Sequence, residues 1–424
     1  MVSRRDSRQR LLTGLIGLVA VAVLLSIAGC AEAGDGRITL TVGTFGEFGY
    51  GPLYREYEAA NPGLKIVERV TRPEDHHKNL AAHLATKTGA ADIEAIEEGW
   101  MGQFTAAPNR FLDFNAYGGA ALRSRWPAWK WRAGSAADGR VIGLGTDVGG
   151  MAMCYRRDLF ERAGLPTERT AVAGLWPTWE KYIATGLRFK QQVPDVAFVD
   201  GPTAMYRSVL GQAKVGIYDR PDHIVVATNP GVKRAWDLAV EATRLGLSAR
   251  VAAFSQDWNA GLAQGTFATL ACPSWMMAFI QDQAKNSAGQ WDVATVPGGG
   301  GNWGGSWLTV PKQTRHPAEA TALAEWLTAP EQQAQVFRSS GNFPSTVSLY
   351  SDPVIRDFKS PFFHDAPVGQ IFSRSVTTLV PQYMGPRSGD INTRIINGLT
   401  RVEQGRDTPD ESWRKVLKEV DALS

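Results

Sequence analysis

Cysteine is scarce in this chain of 424 residues: there are three, at positions 30, 154 and 272. None of them makes a C-x-x-C pair, so zinc-ribbon and thioredoxin-type chemistry have no ligands to work with. Histidine is almost as scarce, at six. No H-E-x-x-H run occurs, and no G-x-S-x-G turn presents a serine nucleophile. His76 and His77 are adjacent and point to opposite faces of a helical segment, with Lys78 beside them. That spacing lacks a ligand pattern and predicts a solvated helix face without a metal. A surplus of positive charge is also missing. The formal net charge is +3, from 45 basic and 42 acidic residues. Four of the arginines and one aspartate lie in the first 29 residues. Without that segment 41 basic residues face 41 acidic ones, and no basic stripe remains for nucleic acid.

What the chain does contain is uneven. Arg4, Arg5, Arg8 and Arg10 open it, residues 11–31 carry no charge, and small residues close the run at Ala28, Gly29 and Cys30. A basic head, an apolar middle and a small-residue exit read as an export signal. An uncleaved anchor is the alternative, because the run approaches the roughly 20 residues a membrane span needs. Ile27-Ala28-Gly29-Cys30 resembles a lipobox, the recognition site of bacterial lipoprotein signal peptidase. The resemblance implies a leader over 1–29, lipid on the Cys30 thiol and a short tether over 30–36. Cys154 and Cys272 lie in the apolar contexts MAMCY and TLACPSW. A buried free thiol is the ordinary state there, with one disulfide as the alternative.

The remaining length exceeds one ordinary core and predicts two domains. RITLTVGTF alternates and is β-branched, GYGPLYREYEAANPG starts after a proline and stops at Asn-Pro-Gly, and LKIVERV is a second strand. A polar-faced helix and the strand DIEAIEEGW follow. This βαβαβ run predicts a parallel sheet covered by helices, hence an α/β fold. Two short strands interrupted by Gly149-Gly150 come next. Further helices are predicted at GVKRAWDLAVEATRLGL, at HPAEATALAEWLTAPEQQAQVFRSSG and at the C-terminal DESWRKVLKEVDAL. The run Pro297-Gly298-Gly299-Gly300-Gly301 marks a loop or crossover.

Longer stretches carry a resemblance. YRRDLFERAGLPTERTAVAGLWPTWEKYI is similar to the family-1 extracellular solute-binding proteins of ABC importers, which have Tyr-Arg-x-Asp-Leu-Phe, then Ala-Gly-Leu-Pro, then Pro-x-Thr-Trp. Here Trp176-Pro177-Thr178-Trp179 follows a longer loop. Tyr57-Glu58-Ala59-Ala60-Asn61-Pro62-Gly63 is a second match. AEATALAEWLTAPEQQAQVF followed by SSGNFPS is a third, with Ala329-Pro330-Glu331 where the family has Ser-Pro-Glu. Together the matches run from Ile38 to about Ser345. The resemblance implies a two-lobe periplasmic-binding-protein-like fold with a ligand cleft between lobes, carbohydrate as ligand, permease subunits as partners and no cofactor. Its lobes are expected at 37–145, 146–302, a return at 303–345, and 346–424. The expected molecule is a monomer held at the membrane through Cys30.

The residues can be asked whether a sugar suits them. A sugar has hydroxyls round its edge and apolar C–H faces, so its site needs flat aromatics and fixed short polar groups. The chain has 14 tryptophans, many beside Gly, Ser, Asn or Asp. Trp303 and Trp307 in NWGGSW are the leading candidates, with Trp258 and Trp275 behind them. In open α/β sheets ligands sit beyond the carboxyl ends of strands. Those ends carry Phe45 and Glu47, then Glu97, Glu98 and Trp100, then Asp147 at the crossover and Asp200 after VAFV. A carboxylate there can accept two sugar hydroxyls. Three rival readings share parts of this pattern. A glycoside hydrolase needs two carboxylates about 5 to 9 Å apart across the bond, and adjacent Glu97 and Glu98 on an extended chain would point apart. A polyamine receptor would also use acids and aromatics. A surface adhesin would need neither two lobes nor hinges.

Overall fold

A computed structural model describes residues 36–221 and 223–423. The leader, Cys30 and all but the last residue of the tether lie outside the described residues. Among those described, no helix is long and apolar enough to cross a membrane.

The first sheet grows from the βαβαβ run. Strand β1 (Ile38–Phe45) and β2 (Leu64–Thr71) pair in parallel, from Ile38 opposite Leu64 to Phe45 opposite Thr71. The helix Gly51–Ala60 that joins them has proline in its first turn and ends at Asn61. Proline suits that position because its missing N–H would have had no helical partner. The helix Pro73–Thr86 leads on to β3 (Ile93–Glu97), which pairs with β1 on the other side. Two more strands complete the sheet in the order β2-β1-β3-β11-β4: β4 (Gly143–Gly145) and, from much later in the chain, β11 (Ser306–Thr309). β11 runs antiparallel to both neighbours. Leu40, Val42, Ile93, Leu144 and Leu308 face Ala320, Leu323 and Leu327 of the helix Pro317–Leu327 in one buried core.

The second sheet takes β5 (Met151–Arg156), β6 (Ala197–Val199), β9 (Phe267–Pro273) and β10 (Trp291–Ala294) in the order β10-β5-β9-β6. A separate ribbon pairs β7 (Tyr218–Arg220) with β8 (His223–Ile224). Three helices seal one side: Pro230–Arg244, Ser388–Glu403 and Pro409–Asp421. Ile391, Ile395, Leu399, Val416 and Val420 share a core with Trp236. The expectation of free thiols is corrected here, because Cys154 and Cys272 form a disulfide with 5.9 Å between their Cα atoms. The two residues lie on adjacent strands, β5 and β9, where Ala152 opposes Cys272 and Cys154 opposes Leu270. That diagonal neighbourhood brings the thiols within reach.

Between the sheets the chain crosses three times. Residues 146–150, 302–306 and 342–345 run side by side and are bonded together. The Trp303 N–H donates to Gly149 O at 2.9 Å, Thr146 N–H to Ser306 O at 2.9 Å, and Val148 N–H to Phe343 O at 2.9 Å. A side chain at Gly149 would strike the Trp303 carbonyl, and Gly304 and Gly305 hold φ of +86° and +98°. Close approach in the first case and left-handed backbone in the second both require glycine.

Candidate functional site

The crossing gathers charge on the side of the first sheet. Glu97 ends β3 and caps the helix Glu98–Thr105, where its Oε2 accepts the Gly99 N–H at 2.7 Å. The chain therefore turns helical at Glu98 and does not stay extended, which corrects the sequence reading of this pair. Glu98 Oε2 accepts from Asn302 Nδ2 at 2.5 Å. Asp147 Oδ1 accepts from the Thr146 hydroxyl at 2.6 Å and the Ser306 N–H at 2.9 Å, so this acid braces the crossing. Between these acids lies Lys130, from the helix Ala128–Ala133, only 1% exposed. Its Nζ sits 3.4 Å from the centre of the Trp307 ring and has no hydrogen-bond partner among the described residues. Burial pushes the Lys130 amine down from its ordinary value, against the pull of Asp147, Glu98 and Glu97. Burial pushes Glu98 up, opposed by Lys130 and reinforced by Glu97 and Asp147. Glu97 is raised for the same first reason and held back chiefly by Arg207, which comes from the second lobe.

The side of the second sheet is aromatic. Trp303 is half-buried, with the Arg207 guanidinium carbon 5.1 Å from its ring centre. Trp275 meets Trp303 edge-on at 5.6 Å and donates its indole N–H to Trp303 O at 3.0 Å. Phe254, 46% exposed and at φ +66°, lies nearly parallel to Trp275 at 6.1 Å and touches Phe279 at 5.7 Å. Gly304 joins the two sides. A methyl group grafted on its Cα would stand 3.4 Å from Trp275 Nε1 and 3.8 Å from Glu97 Oε1. One acid of the first lobe and one indole of the second thus converge on a single bare backbone position.

The structure brings Glu97, Glu98, Asp147, Trp275 and Trp303 together. Other expected residues go elsewhere. Trp307 is 1% exposed, and its indole N–H donates to Lys130 O at 3.2 Å. β11 begins at Ser306, and its two-residue alternation turns Trp307 into a core with Ile96 and Met101. Trp258 and Asp200, at 0% and 2% exposure, bond each other at 2.9 Å behind Phe254. Burial raises Asp200 to about 7, with the Trp258 indole bond pulling the other way. Glu47 is exposed and caps its own turn by accepting the Gly49 N–H at 2.8 Å. Phe45 packs on His77 and His76 at 4.9 and 5.3 Å. Trp100 stacks on His77 at 5.2 Å.

The histidines overturn the solvated-face reading. His76 and His77 are 5% and 0% exposed. His77 Nε2 accepts the Glu97 N–H at 3.0 Å, so its Nδ1 carries the proton given to Pro73 O at 2.6 Å. Burial pushes His77 down to about 3. This neutral ring is a strut beneath the end of β3. No group of three or more metal-ligating side chains is found among the described residues.

Sequence reasoning missed Lys130, Asn302, Arg207 and Phe254. Lys130 had a signal, since a lysine between Trp129 and Trp131 is placed where its charge must be buried or stacked. An open depression of about 670 Å³, lined by Gly46, Val70, Thr71, Arg72, Pro73, Asp75 and Asn79, lies at the ends of β1 and β2. It holds none of the clustered acids or indoles. The crossing remains the better site because aromatic faces and polar groups converge there.

Comparison with known proteins agrees with this architecture. The family described as bacterial extracellular solute-binding protein matches residues 53–361. An arabinooligosaccharide-binding protein of Halalkalibacterium halodurans is 21% identical over 388 residues, 85% of this chain and 82% of that one. A crystal structure of an extracellular solute-binding protein of family 1 superposes with a TM-score of 0.80 at 46% identity, covering 91% of this chain and 99% of the other. An ABC-transporter-associated binding protein from B. animalis subsp. lactis Bl-04, in complex with β-1,6-galactobiose, gives 0.79 at 19% identity over 91% and 97%. The fold is accordingly the two-lobe binding-protein fold with its cleft between the lobes. With the family matched over most of its length, this chain belongs to the bacterial extracellular solute-binding proteins.

Proposed function

We propose that the chain is the sugar-capturing receptor of an ABC importer, lipid-anchored at Cys30 outside the cytoplasm, and that it binds a di- or oligosaccharide without altering it. The observation that carries this is the meeting of Glu97 with Trp275 and Trp303 across Gly304. Indole faces suit the C–H face of a pyranose or furanose ring, at perhaps 1 kcal/mol beyond area burial by analogy with aromatic pairs. Glu97, Glu98 and Asn302 suit its hydroxyls. Contacts completed only when both lobes engage shift the equilibrium towards the closed form, which permease subunits would then recognise. Two anchoring signals are needed for firm membrane attachment, since one acyl chain binds marginally.

Two relatives support the ligand class: one is named for arabino-oligosaccharide and one was crystallised with a galactobiose. The buried cation Lys130 beside the acids argues against a polyamine, which would meet its repulsion. Hydrolysis is disfavoured because the matched family and the named relatives are binding proteins. Isothermal calorimetry with arabino-, galacto-, cello-, xylo- and malto-oligosaccharides and with spermidine tests the reading. Micromolar or tighter binding of one sugar series, recovered unchanged, supports it. Binding of spermidine alone, or consumption of the sugar, overturns it.

A further inference from the structure

The two lobes also touch at a place with no ligand chemistry. The helix Glu98–Thr105 belongs to the first lobe, where Met101 and Phe104 are buried beside Ile96 and Trp307. It faces residues 384–389 and the start of the helix Ser388–Glu403, which belongs to the second lobe through Ile391 and Ile395. Three glycines line this seam. A methyl group at Gly389 would lie 2.7 and 2.8 Å from Cδ2 and Cε2 of Trp100, on the indole itself. One at Gly102 would strike the Met384 carbonyl oxygen and lie 2.6 Å from that of Gly385.

Neither Gly102 nor Gly389 is there for its backbone. Both are helical, and neither has a positive φ. Alanine is the better helix former at either position. What glycine supplies at these positions is the absence of a side chain where the other lobe arrives. The partner that arrives at Gly389 is held firmly, because Trp100 is stacked on His77, with 9° between the ring planes. His77 is itself fixed at both ring nitrogens.

We propose that Trp100 is a closure latch and not a sugar platform. Its indole, propped by His77, seats on the bare Cα of Gly389, while Gly102 seats on the Met384 and Gly385 carbonyls. The fit of these surfaces sets how far the lobes close and how much of the protein is closed before ligand arrives. Trp100, Gly102 and Gly389 are thus positioning residues that act on affinity through the lobe equilibrium. The proposal rests on the two-lobe fold and does not need the ligand to be a sugar.

Hydrogen–deuterium exchange read by mass spectrometry on the full chain in detergent, without ligand, tests it. Gly389→Ala should raise exchange roughly tenfold in peptides from both 98–105 and 384–389, the opposed faces of two lobes. Peptides from β1 and β9 should keep their protection. Trp100→Ala removes the ring without overpacking anything and should have the same effect. In a Trp100→Ala background, Gly389→Ala should add less than about twofold, because the indole it would strike is gone. Unchanged exchange at 98–105 in either single variant overturns the latch. So does full additivity of the two, which would mean that each acts on its own lobe. No sugar enters the experiment, so its failure is separate from failure of the ligand reading.

Discussion

The two walls of the crossing are built from different chemistry. The first lobe contributes Glu97, Glu98, Asp147 and the buried Lys130. The second contributes Trp275, Trp303, Phe254 and Phe279, with Arg207 over one indole. Apolar area works at any stage of docking, whereas hydrogen-bonding groups contribute only once geometry is fixed. A ligand should therefore settle first on the aromatic lobe and be oriented by the polar one as the cleft shuts. The division extends to covalent structure, since the described disulfide staples only the aromatic lobe.

Four experiments would break or sharpen that contrast. The largest effect is expected from Cys154→Ala with Cys272→Ala. A closed loop with a sequence separation of 118 should be worth about 5 kcal/mol. Chemical denaturation should show the loss in the second lobe while exchange in β1 to β3 stays slow. Loss of both lobes together would show that the crossing makes one cooperative unit. Next is Lys130→Ala, which leaves three acids facing one another and should cost about 3 kcal/mol at pH 8. The penalty should shrink towards pH 5, because Glu98 and Glu97, both raised, take up protons as the pH falls. A penalty independent of pH would mean that packing against Trp307 outweighs charge.

Third, Trp275→Ala with Trp303→Ala should weaken ligand binding about 100-fold, or about 2.7 kcal/mol. Glu97→Gln should weaken it less, since an amide still bonds a hydroxyl. The reverse ranking by calorimetry would exchange the roles of the two walls. The smallest effect at pH 4, close to none, is expected from Asp200→Asn. Burial raises Asp200 from 3.8 to about 7, so the folded state holds its proton more tightly than the unfolded one. The native chain should therefore lose stability as the pH climbs from about 4 to about 7 and level off above. The amide removes that slope. It should be equal to the native chain near pH 4 and about 4 kcal/mol more stable at pH 8. Equal slopes would mean that Asp200 stays ionised beside Trp258.

Much of the frame was legible because it rests on local signals. Alternation in RITLTVGTF and prolines or glycines at helix ends mark β1, β2 and the helix between them. Gly149-Gly150 marks the first crossing because only glycine tolerates so close a neighbour. Within the candidate site, Glu97 was singled out at a strand end, Trp275 beside Ser274 and Trp303 beside Gly304. Trp307 was misread because the phase of β11 depends on where pairing with β3 begins, which no local pattern states. The disulfide escaped for a similar reason: its partners become neighbours only when β5 and β9 pair. His76 and His77 looked solvated beside Lys78, but their helix lies under the end of β3, whose backbone claims both rings. The helix Ser388–Glu403 was not foreseen, because SGDINTRIINGLTRVE opens with weak helix formers and is held by its apolar stripe on Trp236.

The placement of β11 has a consequence for the order in which the protein can be made. Among the described residues β11 runs between β3 and β4 in the sheet, so the first sheet stays open between those two strands until residue 309 has emerged. An N-terminal stretch of ordinary length would close its core early during synthesis. This one waits for nearly three quarters of the chain. A polypeptide bound for the outside of the cell must pass through a narrow channel unfolded. The late arrival of β11, the strand next to the edge, leaves the first sheet unfinished until most of the chain has been made.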